Sequence, residues 1–407
     1  MSAEILFIAH RIPFPPNRGD KVRSHHLLKR MAQLAPVHVA CFADDEEDAA
    51  EEIELAAIAR SYQLVRRSKP LVGAGVEALI KGLPVSLTAF DHPYLHKYIA
   101  KTLKERPIST IFVFSGQMGQ YIPSDYSGRV VMDFVDVDSA KFSAYAMQHR
   151  LPWRWIEARE ARLLSAEEAR VAARADINLL ATQAEAALFR AQLGEPDAAT
   201  DIRAMANGIA SDVFDRTLIS AENKILETGA PRLIFTGQMD YPPNIDAAMR
   251  AAQAIMPLIR QELPEASLHI VGRNPGDELR ALHGKNDVYV WGRVPDIRPW
   301  LKAADMALVP LNIARGIQNK VLEAMAMELP VVLSPGAATG IAATDQQHFA
   351  IADSDAQLAA SVIRLAKQPK DMAAMGISAR QLVVDKLSWQ SALADLPGIL
   401  GIAGHGG

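Results

Sequence analysis

The sequence predicts an α/β protein made of two doubly wound, Rossmann-like parallel-sheet domains. Short, β-branched apolar runs recur and most end at or near glycine or proline, as in Arg232-Leu-Ile-Phe-Thr-Gly237 and Ser267-Leu-His-Ile-Val-Gly272. Segments of helical spacing separate them, giving the alternation of a parallel sheet. At 407 residues the chain also exceeds one typical core and suits two domains.

Composition narrows the function. With 49% hydrophobic and 22% charged residues the chain is globular, and a net charge of −4 gives no reason to expect nucleic-acid binding. The single Cys41 excludes intrachain disulfides and cysteine-clustered zinc. The start, MSAEILFIAH, lacks the basic stretch and long apolar core of a signal peptide, and no apolar run approaches 18 residues. A cytoplasmic setting is expected.

Ile5–Ala9 reads as a buried strand, and His10–Gly19 as a loop held by three prolines and closed by glycine. Asp20 is placed to cap a helix from Lys21 to about Leu34. Val22, Leu27, Leu28 and Met31 are expected inward, and Lys21, Arg23, Lys29 and Arg30 outward. That basic face suits solvent or, at the inner membrane, anionic lipid. Arg18 and Gly19, at the same sheet edge, are candidates for an anion or acceptor loop. Val37–Phe42 is the second strand, and the acidic run from Asp44 to Glu54 reads as a solvated helix face. Gly73-Ala-Gly75 matches a dinucleotide pattern only weakly, because Val65–Pro70 is a poor buried strand to feed it.

Thr110–Phe114 and Gly128–Asp133 are strands, the second running into Asp133-Phe-Val-Asp136-Val-Asp138-Ser139. Two readings stay open there. A D-x-D pair would bind Mg²⁺ or Mn²⁺ with a nucleotide diphosphate. Alternatively Asp133 ends the strand near an acceptor and Asp138 or Ser139 caps the next helix, which is preferred because the motif trails a strand. Trp153–Ala175 is a long helix laced with i,i+4 charge pairs. Asp176–Ala181 is a strand, Thr182 an N-cap, and Ala204–Ile209 a strand end and turn. The polar stretch 220–231, ending in Gly-Ala-Pro, is the expected linker between a first domain (1–219) and a second (232–385).

The second domain repeats the rhythm, with strands at Arg232–Gly237, Ser267–Gly272, Asp287–Gly292, Met306–Pro310 and Leu329–Leu333. A final helix and flexible tail (386–407) are expected, the helix packing back on the first domain. Between the last two strands lies Arg315-Gly-Ile-Gln-Asn-Lys-Val-Leu-Glu323. Gly316 allows a turn, and the helix from Asn319 starts where orphan N–H groups and the helix dipole attract phosphate. Lys320 adds a cation, and Glu323, one turn on, a carboxylate that suits a sugar diol. An ordinary βαβ unit with a solvated Lys and Glu has the same pattern.

Gly316…Asn319-Lys320-Val-Leu-Glu323-Ala-Met-Ala…Pro330-Val-Val resembles the donor signature of the GT-B retaining glycosyltransferases of the family-four group. Phe235-Thr-Gly237, His269-Ile-Val-Gly272-Arg273, Trp291-Gly292-Arg-Val294 and Ala206-Asn207-Gly208-Ile209 fall in the family's order. His10-Arg-Ile-Pro-Phe-Pro-Pro, the Met239–Asn244 loop and Arg315–Lys320 are similar to the exosortase/PEP-CTERM-associated sugar transferases of exopolysaccharide systems. The resemblance implies two domains facing a cleft, a UDP- or GDP-sugar donor on the second domain, and a glycan or polyprenyl-linked acceptor on the first. No metal or other cofactor would be required. Glu323 would bind the ribose, Gly316, Ile317, Asn319 and Lys320 the diphosphate, and Gly292, Arg293 and Val294 would border the base. Gly237, Asn244 and Gly272 would complete the donor edge, and Gly19 would face diphosphate or acceptor. Asp133 or Asp136 would lie near the acceptor hydroxyl, with Lys320 as the catalytic cation.

Departures from the family pattern matter. Arg315 stands where the family often has a glutamate for the donor sugar, and Gln238–Asn244 replaces the usual Arg and Lys pair. Phosphate charge would then fall to Lys320, Arg315 or Arg273. A sugar-nucleotide epimerase and a noncatalytic sugar-nucleotide-binding protein are the alternative readings.

Overall fold

The computed structural model describes residues 3–16, 18–194, 200–312 and 317–402. Two compact units form: Met1–Asn207 with Ala392–Gly407, and Gly208–Ser391. The first contains a seven-stranded parallel sheet of β1 (Glu4–Ala9), β2 (Val37–Ala43), β3 (Ser61–Arg66), β4 (Ile108–Phe114), β5 (Arg129–Val135), β6 (Ile177–Leu180) and β7 (Ile202–Ala204). Its order is β3-β2-β1-β4-β5-β6-β7. β1 and β2 are buried at every position, as expected for strands covered by helices on both faces. The second unit holds β8 (Arg232–Thr236), β9 (Ser267–Val271), β10 (Val288–Gly292), β11 (Met306–Val309), β12 (Val331–Leu333) and β13 (Ala350–Ile351), ordered β10-β9-β8-β11-β12-β13.

Both sheets reverse direction of growth once, between β1 and β4 and between β8 and β11. At such a switch point the loops after two neighbouring strands diverge to opposite faces and leave a crevice at the carboxyl edge. Each unit thus offers one crevice of its own.

Several expectations are corrected. The unit boundary falls at 207/208 and 391/392, while 220–231 belongs to the second unit. Ile225 is sealed in that unit's core and the Glu222 N–H bonds Pro299 O, so polar composition there marks surface, not a linker. β3 and β13 are additional edge strands. The last helix is two short pieces, Trp389–Ala392 and Leu396–Ile399. The second belongs to the first unit, where Thr110 Oγ1 donates to Leu400 O (2.9 Å) and Arg129 Nη1 to Ile399 O (3.2 Å). Residues 403–407 of the expected tail lie outside the described residues. Gly73 and Gly75 lie inside the Leu71–Lys81 helix, so no glycine turn follows β3.

The expected basic face is also broken. In the Gly19–Leu34 helix, Lys21 and Arg23 are buried, whereas Lys29 is exposed and Arg30 and Val22 are half-buried. Lys21 Nζ pairs with Asp48 and donates to Phe14 O (2.9 Å). Arg23 is paired with Asp133 and donates to Met205 O and Asn207 Oδ1, both at 2.8 Å. Asp44 and Asp48 of the acidic run are likewise internal partners, Asp44 holding Arg11 and Arg67. A lipid contact through Lys21 and Arg23 is excluded by their burial.

Candidate active site

At the β8–β11 switch point three adjacent strand ends carry glycine. Gly237 takes φ +155° and its N–H bonds Val271 O (3.1 Å); the Gly272 N–H bonds Gly292 O (2.9 Å). A Cβ on Gly272 would stand 1.6 Å from Gly237 O, so no other residue fits between these turns. Gly292 is left-handed at φ +70°. Bare backbone therefore lines the carboxyl edge.

Into this edge the helix after β8, Pro242–Arg250, sends Asn244 from its first turn. Asn244 is buried, its Nδ2 donating to Gln238 O (2.9 Å) and its Oδ1 accepting from Lys320 Nζ. Lys320 comes from the Asn319–Ala326 helix on the β11–β12 crossover, with Nζ 4.7 Å from the Phe235 ring centroid. A Cβ on Gly237 would lie 3.1 Å from that nitrogen. The two elements that diverge at the switch point thus meet through Gly237, Asn244 and Lys320.

The same helix buries Val321, Leu322, Ala324 and Met325, which turns Lys320 and Glu323, three apart, to its other face. Its N-cap residue, Gln318, makes no side-chain cap bond. Glu323 is half-buried and has no hydrogen-bond or ion-pair partner among the described residues. Burial pushes its carboxyl up to about 7, partly offset by the charge of Lys320. Burial likewise pushes Lys320 down to about 8, against the opposing pull of Glu323. A cation and a carboxylate, both poorly solvated, are suited to bind an outside group that carries an anion and hydroxyl donors.

Other expected donor residues are more peripheral. Arg273 is exposed and donates to Gln238 Oε1 (2.8 Å), which ties it to the β8 loop. Arg293 and Asn319 are exposed, while Val294 and Ile317 are half-buried against the core. Arg315 and Gly316 lie outside the described residues.

In the first unit the expectation for Asp133 is overturned. It is fully buried, with Oδ2 2.9 Å from Arg23 Nε and Oδ1 accepting from the Val135 N–H (3.1 Å). No acceptor hydroxyl reaches it, and it cannot form a metal-binding pair with Asp136. Among the described residues no group of three or more His, Cys, Asp or Glu side chains is arranged to hold a metal. The helix-cap reading also fails: Asp138 opens the Asp138–Gln148 helix, but its free N–H groups are met by Glu185 (to Val137 N, 2.8 Å) and Glu168 (to Ser139 N, 3.0 Å).

Asp136 and Arg18 do share a pocket of about 400 Å³ at the β1–β4 switch point, with His10, Arg11, Asp138 and Lys141. Gly19 opens the neighbouring helix, with nothing within 4 Å of the position a Cβ would take. Asp20 does not cap that helix; it accepts from His10 Nε2 (3.2 Å) and Arg11 Nη1 (2.5 Å). Burial alone would raise Asp20, but the bonds from His10 and Arg11 hold it well below the usual carboxylate range. The sequence offers His10 and Arg11 as loop residues and as part of the opening family-like motif, without a site role; their place directly after β1, at the switch point, is the signal for one.

Residues 230–368 match the family model for glycosyl transferases group 1. No curated protein matches the chain. Among solved structures, Anabaena Alr3699/HepE in complex with UDP is similar over 98% of this chain and 100% of its own, at 13% identity and TM-score 0.63. HepE in complex with UDP-glucose is similar at 14% identity and TM-score 0.59, over 98% and 100% of the two chains. WaaG, a glycosyltransferase involved in lipopolysaccharide biosynthesis, is similar over the same shares at 18% identity and TM-score 0.59. The two parallel-sheet units therefore have the GT-B glycosyltransferase fold, and the match to the glycosyl transferases group 1 model falls within the second unit.

Proposed function

We propose that the protein is a retaining glycosyltransferase that moves a sugar from a nucleotide-sugar, with UDP the favoured nucleotide, to a polysaccharide or lipid-linked acceptor in exopolysaccharide synthesis. The observation that carries this is Glu323, without a partner among the described residues, one turn from Lys320 at the start of the β11–β12 helix. Glu323 accepts hydrogen bonds from the ribose hydroxyls. Lys320 and the helix N-terminus receive the diphosphate, and Asn244 holds the ammonium in place. HepE is described in complex with UDP and with UDP-glucose, which supports a UDP-sugar here. WaaG, which works in lipopolysaccharide biosynthesis, supports a carbohydrate acceptor carried on lipid.

In the reaction the bond from the anomeric carbon to the diphosphate oxygen breaks and a bond to the acceptor oxygen forms on the same face. The nucleoside diphosphate departs with the bonding pair, and the acceptor hydroxyl's proton passes to its leaving oxygen on that same face. Negative charge grows on the diphosphate as that bond breaks, where Lys320 stabilises it without a required metal. Arg273 and Arg315 are further candidates for phosphate charge, Gly292–Val294 for the base, and Asp136 for the acceptor side. Incubation with labelled UDP-, GDP- and dTDP-sugars tests the reading. Transfer to a glycan or polyprenyl acceptor with retained configuration is expected; isomerised donor, or binding without any product, would overturn it.

A further inference from the structure

The first unit carries an apolar surface that its own fold leaves uncovered. The Leu71–Lys81 helix packs inward through small side chains, Ala74 and Ala78. Its large aliphatic residues point outward: Val72 (80% exposed), Val76, Leu79 and Ile80 (81%). Positions 72, 76, 79 and 80 follow the i, i+4, i+7, i+8 spacing of one continuous stripe. The solvent side of this helix is thus its more apolar side.

The Trp153–Arg174 helix extends the stripe. Arg159 donates to Ala78 O (2.9 Å) and Leu83 O (3.2 Å), and Glu160 accepts from the Val85 and Ser86 N–H groups. Trp155 and Ile156 lie one turn before those two anchors and on the same sides, so they adjoin the end of the Leu71–Lys81 helix. Trp155 is 60% exposed and Trp153 63%, with Leu151 exposed just ahead. A contiguous patch of this kind marks an interaction surface.

Charge selects the partner. Arg150, Arg154 and Arg162 are exposed beside the tryptophans, and among the described residues none pairs with a carboxylate. The nearby acids are bonded within the fold: Glu77 pairs with Lys69 (2.9 Å) and Lys81 (2.7 Å), Glu157 bonds His149 (2.9 Å), and Glu160 accepts from the Val85–Ser86 backbone. Aliphatic side chains in front, tryptophans beside them and unpaired arginines around form the pattern that sits in a headgroup layer. We propose that this surface docks the protein on an anionic phospholipid bilayer. The contact replaces the excluded Lys21–Arg23 face and does not depend on the donor site. Among the described residues no helix is long and apolar enough to cross a membrane, so attachment here is peripheral.

The test is co-sedimentation of the full chain with vesicles of phosphatidylcholine alone or mixed two to one with phosphatidylglycerol. Binding to the mixed vesicles is expected, with a blue shift of tryptophan emission. Arg150→Gln/Arg154→Gln should lower partitioning roughly thirtyfold, from about fivefold per arginine near a charged surface. Trp155→Ser/Ile80→Ser should abolish binding. Thermal melting checks folding, and if the second variant melts early the arginine pair decides. Failure of the wild type to bind, or binding unchanged in the arginine variant, would overturn the proposal. So would a dimer in solution that the Trp155/Ile80 variant splits, since the patch would then be a seam between copies.

Discussion

Replacing Glu323 by Gln should stabilise the unliganded protein while weakening nucleotide binding. Burial lifts the Glu323 carboxyl from 4.5 to about 7. In the folded state the proton is therefore kept over a range where the unfolded chain has lost it. The native state binds more protons there, so stability falls as pH rises from about 4.5 to 7, and the full loss is present above 7. At about 1.4 kcal/mol per pH unit the loss is about 3 kcal/mol. Glu323 is half-buried, and the solvent contact it keeps screens this penalty, so about 2 kcal/mol is the expected net effect. Urea unfolding near pH 5 and pH 7.5 measures it. The variant should gain little at the lower pH and about 2 kcal/mol at the higher, with UDP affinity by calorimetry reduced roughly tenfold or more. A variant that is destabilised at pH 7.5, or a gap that does not widen with pH, would mean the carboxylate is already satisfied and would refute its role as a ribose acceptor.

Lys320→Ala should weaken UDP binding roughly ten- to a hundredfold by calorimetry, as loss of a charged hydrogen-bond donor implies. Because Lys320 in the free protein titrates near 8, wild-type affinity for UDP should fall as pH rises beyond that value, and the Ala variant should not show this dependence. Asp133→Asn leaves the Arg23 guanidinium buried without its carboxylate, and should cost about 3–5 kcal/mol in urea unfolding. Gly272→Ala forces the β8 and β9 turns apart and should abolish UDP binding in a thermal-shift assay, whereas Gly73→Ala, in open space, should leave it intact.

The strands were legible because they are short apolar runs, those of the second unit mostly closed by a glycine or proline, and the crossovers between them are long enough for helices. Lys320 and Glu323 were legible for the same local reason, three positions apart at a helix start. Arg23 was misread because residue type overruled position. It lies four before Leu27, on the inward face, and its partners Asp133 and Asn207 stand 110 and 184 residues away. No local pattern reports a partner at such distance. The same limit misassigned Asp133, whose strand end looks catalytic until Arg23 is seen to hold it, and Asp20, whose partners His10 and Arg11 reach it from the preceding loop.

Thr110, at the heart of the first sheet, hydrogen-bonds a carbonyl 290 residues further along the chain. During synthesis at about 5–20 residues per second, that interval amounts to roughly 15 to 60 s. The earlier-made sheet must wait, with the seat for Leu396, Ile399 and Leu400 open, until the whole Gly208–Ser391 unit has been translated. Completion of the first unit is thereby delayed until residues 396–400 are made, and a ribosome stalled anywhere between residues 207 and 392 leaves it with an uncovered apolar flank.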